Sequence, residues 1–79
     1  MNVHYIVVQE TYMDEAYPRT AYGIAAVEAY EGCLAVMQAF PDISPDLVPV
    51  QRLVESCNVL QLELIHLQDV VEDFFTEIV

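Results

Sequence analysis

The chain has 79 residues, 56% of them hydrophobic, and thirteen Asp and Glu against two Lys and Arg, for a net charge of −11. That length fits one small domain over 1–79, and the hydrophobicity is too high for a disordered chain. Two cations, Arg19 and Arg52, are too few to line a phosphate backbone or to hold the chain on an anionic membrane, so neither nucleic acid nor membrane is an expected partner.

In chain order, residues 2–13 have a strand composition rich in Val, Ile, Tyr and Thr. Both faces begin apolar and turn polar at Gln9, Glu10 and Thr11. Residues 14–19, with Pro18 and two acids, read as a turn or loop. A second strand is expected over about 20–30. Alternation there puts Tyr22, Ile24, Ala26, Glu28 and Tyr30 on one side, and Gly23, Ala25, Val27 and Ala29 on the other. Glu31-Gly32 reads as a two-residue hairpin turn, with the glycine suited to positive φ. A third strand follows over about 33–40, and Pro41 to Pro45 closes the sheet region.

The second half is helical. Ser44 suits an N-cap, Pro45 the first helical position and Asp46 the positive end of the dipole. Leu47, Val50, Leu53, Val54 and Cys57 form an apolar stripe over a helix at about 45–57, which Asn58 can stop in the left-handed region. In a last helix over about 63–78, Leu64, Leu67, Val71, Phe74 and Ile78 share a face, and Ile65, Val70 and Phe75 widen it. The fold class is therefore α+β: a three-stranded antiparallel sheet followed by two helices packed on one face, βββαα.

Three motifs carry a family resemblance. They are D-I-S-P-D at 42–46, L-V-E-S-C-N at 53–58 and H-L-Q-D-V-V-E-D-F at 66–74, with Tyr22-Gly23-Ile24 in the strand region. Together they resemble a family of small uncharacterised bacterial proteins, a domain of unknown function with an N-terminal β region and two C-terminal helices. The resemblance implies the βββαα architecture and a bacterial cytosolic setting, and it brings no catalytic residues. Glu63-Leu64 departs from the family pattern, in which a capping residue followed by proline is expected.

No enzyme constellation stands out. The two glycines form no phosphate loop, and Cys33 and Cys57 have no electropositive neighbours in sequence to activate them. They are expected as reduced, buried thiols. Glu28, midway along an otherwise apolar strand, reads as an outer-face or edge residue and less readily as a buried acid needing a cationic partner. His66, Asp69 and Asp73, at i, i+3, i+7, are the candidate ligands for a divalent metal. The plainer reading of that run is a solvated acidic face, and no cofactor is expected.

Five tyrosines fall within the first thirty residues. Tyr5, Tyr12, Tyr22 and Tyr30 are the interaction candidates among them, because tyrosine combines contact area with a polar tip. Two helices cover only one face of a sheet, and the other face would expose an apolar patch. The N-terminus, with no Lys or Arg before Arg19, does not read as a signal peptide, and a cytoplasmic location is expected. The leading expectation is a small acidic cytosolic protein-interaction module without catalytic activity, pairing with itself as a homodimer or with a protein partner. A basic partner would be steered by the acidic helical surface. The alternative is a ligand- or divalent-metal-binding domain that uses the last helix.

Overall fold

The computed structural model describes residues 3–77. Strand β1 spans Val3–Asp14, β2 Tyr17–Tyr30 and β3 Cys33–Ser44. Helix α1 spans Leu47–Val59, a 3-10 turn covers Leu64–His66, and helix α2 spans Leu67–Glu77. The strands form one antiparallel sheet in the order β1-β2-β3. The molecule measures 42 × 30 × 18 Å, a thickness that fits one sheet and one helical layer. The expected βββαα, α+β architecture is the one observed. Two expected end residues, Asn2 of the first strand and Ile78 of the last helix, lie outside the described residues.

The register assigns the two faces. Tyr5 pairs with Ala26 and Val7 with Ile24, and Ile24 pairs with Phe40 on its other side. Side chains alternate along a strand, so these residues share the face toward the helices. There Tyr5, Ile24, Ala26 and Ile43 pack with Val50, Val54 and Cys57 of α1 and Leu67 and Val71 of α2. The helical contribution follows the apolar stripes that the 3.6-residue period lays down. Half-buried Val3, Val7, Tyr22, Phe40, Leu53, Leu64 and Phe74 surround that cluster.

The strands run longer than local signals suggest. The expected turn over 14–19 contracts to Glu15-Ala16, with Glu15 in the left-handed region at φ 52°. Pro18 and Arg19 belong to β2, opposite Met13 and Tyr12. Pro18 is tolerated because β3 pairs only with Tyr22 to Tyr30, so no strand lies on the other side of β2 at that point. At the far end Glu31 (φ 48°) and Gly32 (φ 81°) make the expected hairpin turn. Strand β3 also continues past Phe40. Its register shifts, so that Pro41, Asp42 and Ile43 oppose Gly23 alone. A Cβ on Gly23 would lie 2.0 Å from the Phe40 carbonyl oxygen and 2.5 Å from the Pro41 carbonyl carbon. Only glycine lets the two backbones approach this closely.

The helix ends differ from the expected ones. Ser44 is not the N-cap. Its Oγ accepts a hydrogen bond from the Asp46 N–H at 3.1 Å, and Asp46 stands at the cap position without a side-chain cap bond. Pro49 fits inside the first turn because the N–H it lacks has no helical acceptor there. Asn58 stays helical, and the left-handed residue is Gln61 at φ 52°. The Leu62 N–H reaches the Cys57 carbonyl at 2.9 Å and the Gln61 N–H the Asn58 carbonyl at 3.2 Å. This is the paired closure of a Schellman stop.

Candidate interaction surface

The outer face of the sheet is opposite the helices. Across it run the rows His4–Val27–Val36 and Ile6–Ala25–Ala39, with Ala29–Leu34 toward the hairpin. Ala21, Gly23, Ala25 and Val27, on the central strand, are buried. On the flanking strands Ile6 (41% exposed), Leu34 (70%) and Val36 (64%) stand open to solvent. Neither helix packs on this face. At its far end the Arg19 guanidinium lies 4.9 Å from the Tyr12 ring centroid and bonds both Asp42 carboxylate oxygens, at 3.2 and 3.3 Å. The Tyr12 hydroxyl is held above its ordinary pKa, first by its hydrogen bond with Glu10 and then by burial and nearby acids.

The two edges of the sheet differ. On the outer edge of β1, the Asn58 side chain pairs with the backbone of Tyr5. Its Nδ2 donates to the Tyr5 carbonyl at 2.8 Å, and its Oδ1 accepts from the Tyr5 N–H at 2.8 Å. One amide thus occupies the groups that an added strand would need at that point. The Tyr5 hydroxyl donates to the Leu62 carbonyl at 2.6 Å, tying the same strand to the Schellman stop. Among the described residues no side chain plugs β3 in this way: Cys33 to Met37 and Ala39 are all exposed, and only Gln38 is half-buried in that stretch.

The tyrosines do not gather into one patch. Tyr5 is 2% exposed and lies in the core, so it offers a partner no surface. Its burial, and secondarily the adjacent Cys57 thiol, raise its pKa. Tyr22 is half-buried against the core, Tyr12 is half-buried under Arg19, and Tyr30 is exposed at the hairpin end. On β3 the exposed apolar residues are Leu34, Val36 and Met37, whose signal was the uncharged run C-L-A-V-M-Q-A-F-P at 33–41.

The proposed metal ligands are separated by a change of element. His66 ends the 3-10 turn, and Asp69 and Asp73 belong to α2, all three exposed. Among the described residues no group of three or more His, Cys, Asp or Glu could hold a metal ion. Cys57 is buried as expected and burial raises its thiol pKa, whereas Cys33 is exposed because the β3 end of the hairpin projects beyond the helices. Glu28 is half-buried between Val3 and Ala35 on the helix side of the sheet. A groove of about 480 Å³ lies between the start of β1 and the link after α1, lined by Val3, His4, Asn58, Gln61, Leu62, Glu63 and Leu64. Its Asn58 amide is already engaged by Tyr5.

One family model matches residues 1–77, nearly the whole chain. The chain belongs to DUF6514, a family of unknown function. Membership in DUF6514 agrees with the resemblance carried by the motifs at 42–46, 53–58 and 66–74. As a family of unknown function, DUF6514 supplies no activity and no site residues to carry over. No curated protein matches the chain, and no solved structure matches it. Among the described residues no helix is long and apolar enough to cross a membrane.

Proposed function

We propose that this chain is a small acidic module that acts by binding protein through its sheet, without catalysis. The observation that carries this reading is a group of apolar residues left open on a sheet face and edge that no helix covers. Ile6, Leu34, Val36 and Met37 are exposed on the sheet side, where no helix covers them. The acids Glu55, Asp69, Glu72 and Asp73 are exposed on the helical layer. Exposed apolar residues grouped on one surface mark a contact site, because leaving them in water costs about 25 cal/mol per Å². The acidic layer would speed the approach of a basic partner and repel nucleic acid.

The test is capture from native lysate by the wild-type chain and by an Ile6→Lys, Val36→Lys double variant, at low and at high salt. The expected result is a specific protein retained by the wild type at both salt concentrations and lost by the folded variant. Equal capture by both chains would remove the sheet surface from the reading. The metal-binding alternative has only the exposed His66, Asp69 and Asp73 behind it, and melts with Mg²⁺, Mn²⁺, Zn²⁺ or chelator are expected to coincide with the untreated melt.

A further inference from the structure

We infer that the β3 edge is a homodimer interface, where β3 of one copy pairs antiparallel with β3 of a second copy to join two sheets into one. The inference rests on the protein-binding reading above and names its partner. Three observations select this edge and this occupant.

The first is the contrast between the two edges. Strand β1 is closed at Tyr5 by the Asn58 amide. Strand β3 is twelve residues long, and as an edge strand it points half of its N–H and C=O groups away from the sheet. A long, open, apolar edge is what isolated proteins normally avoid with Lys, Pro or a covering segment. Here Leu34, Val36 and Met37 are exposed; one register shift leaves Met37 without a partner on β2, and the strand's one proline, Pro41, lies beyond, at a second shift.

The second is charge. Two copies that each carry −11 repel one another. No charged residue occurs from Gly32 to Pro41. Antiparallel pairing centred near Val36 therefore brings uncharged strand against uncharged strand. It sets the flanking Glu31 of one copy toward Asp42 of the other, whose carboxylate is already paired with Arg19. A basic partner protein would find no acid on β3 between Cys33 and Pro41 to attract it.

The third is size. Nine paired residues at ~3.3 Å each make an edge of about 30 Å, and side chains on both faces give it a height of about 15 Å. Each copy then buries about 450 Å², roughly 900 Å² in all, near the lower limit of about 1,000 Å² for a specific interface. Such a contact is expected to be reversible and dependent on concentration.

The test is native mass by light scattering over a hundredfold concentration range, for the wild type, Val36→Lys, Leu34→Lys and Ile6→Lys, with circular dichroism confirming the fold of each. Amide hydrogen exchange on the wild type at both concentration limits needs no variant. The expected result is a wild-type mass that doubles from 9.0 kDa with concentration, with amides of residues 33–39 slowed only at the high limit. The folded Val36→Lys and Leu34→Lys chains stay monomeric, and Ile6→Lys on the remote strand still doubles. A dimer that Ile6→Lys abolishes and Val36→Lys leaves intact overturns edge pairing in favour of face-to-face stacking, while the protein-binding reading stands. A wild type that is monomeric throughout, with no slowed amides in β3, overturns self-pairing. The capture experiment then decides separately whether a different protein uses the sheet.

Discussion

Single residues hold the two halves of this fold together, and two glycines separate steric from conformational cost. Gly23 meets the Phe40–Pro41 backbone so closely that an added methyl has nowhere to go. Gly23→Ala is expected to cost about 3 kcal/mol in urea melts, at the upper end of overpacking penalties. Gly32 has open space around it but a φ of 81°, so Gly32→Ala should cost only about 1 kcal/mol, all of it backbone. Gln61 sits at φ 52° in the Schellman stop. Replacing it with glycine relieves that strain, and Gln61→Gly is expected to stabilise the chain by up to about 1 kcal/mol. Asn58→Ala would strip the paired amide from Tyr5. Because Asn58 is itself exposed, water replaces part of the loss, and the expected cost is about 1 kcal/mol.

At the scale of elements, helix α1 and strand β1 meet through Cys57 and Tyr5, two acids that burial keeps protonated. The thiol is held above its ordinary 9.0 and the phenol above its ordinary 10.0. The native chain therefore retains protons that the unfolded chain has given up. This contribution to stability is complete below pH 9.0, and it is lost as the pH rises through the raised native values. Denaturant midpoints are expected to be level in this respect below pH 9 and to fall above it. Cys57→Ala should flatten the first part of that fall. An unchanged slope in that variant would mean that the thiol does not contribute. The bond from the Tyr5 hydroxyl to Leu62 belongs to the same junction, and Tyr5→Phe is expected to cost about 1 kcal/mol by leaving that carbonyl without its partner.

For the whole molecule, the net charge of −11 sets the response to salt. Raising ionic strength shortens the range of self-repulsion, so the melting temperature is expected to rise between about 0.01 and 0.15 M salt. The same measurement separates two kinds of partner. Pairing of like-charged copies through an uncharged edge should strengthen with salt, whereas capture of a basic protein by the acidic helical layer should weaken. A dimer that dissociates on adding salt would argue that charge attraction holds it together.

The order of elements, the hairpin at Glu31-Gly32 and the helical stripes are legible in the amino-acid sequence, because each is a local pattern read within a turn or two of chain, and the excess of acid follows from composition. The sequence also carried the family resemblance in short motifs. Tertiary structure decided how far each strand runs. Pro18 enters β2 only where β3 is missing, and β3 passes Pro41 only because Gly23 lies opposite. It decided the role of Asn58, which reads locally as a helix stop yet spends its amide on Tyr5, fifty-three positions away. It buried Tyr5 and exposed Leu34 and Val36, whose composition alone reads as core. Burial depends on what packs against a face, and two short helices reach only part of a sheet whose strands extend past them.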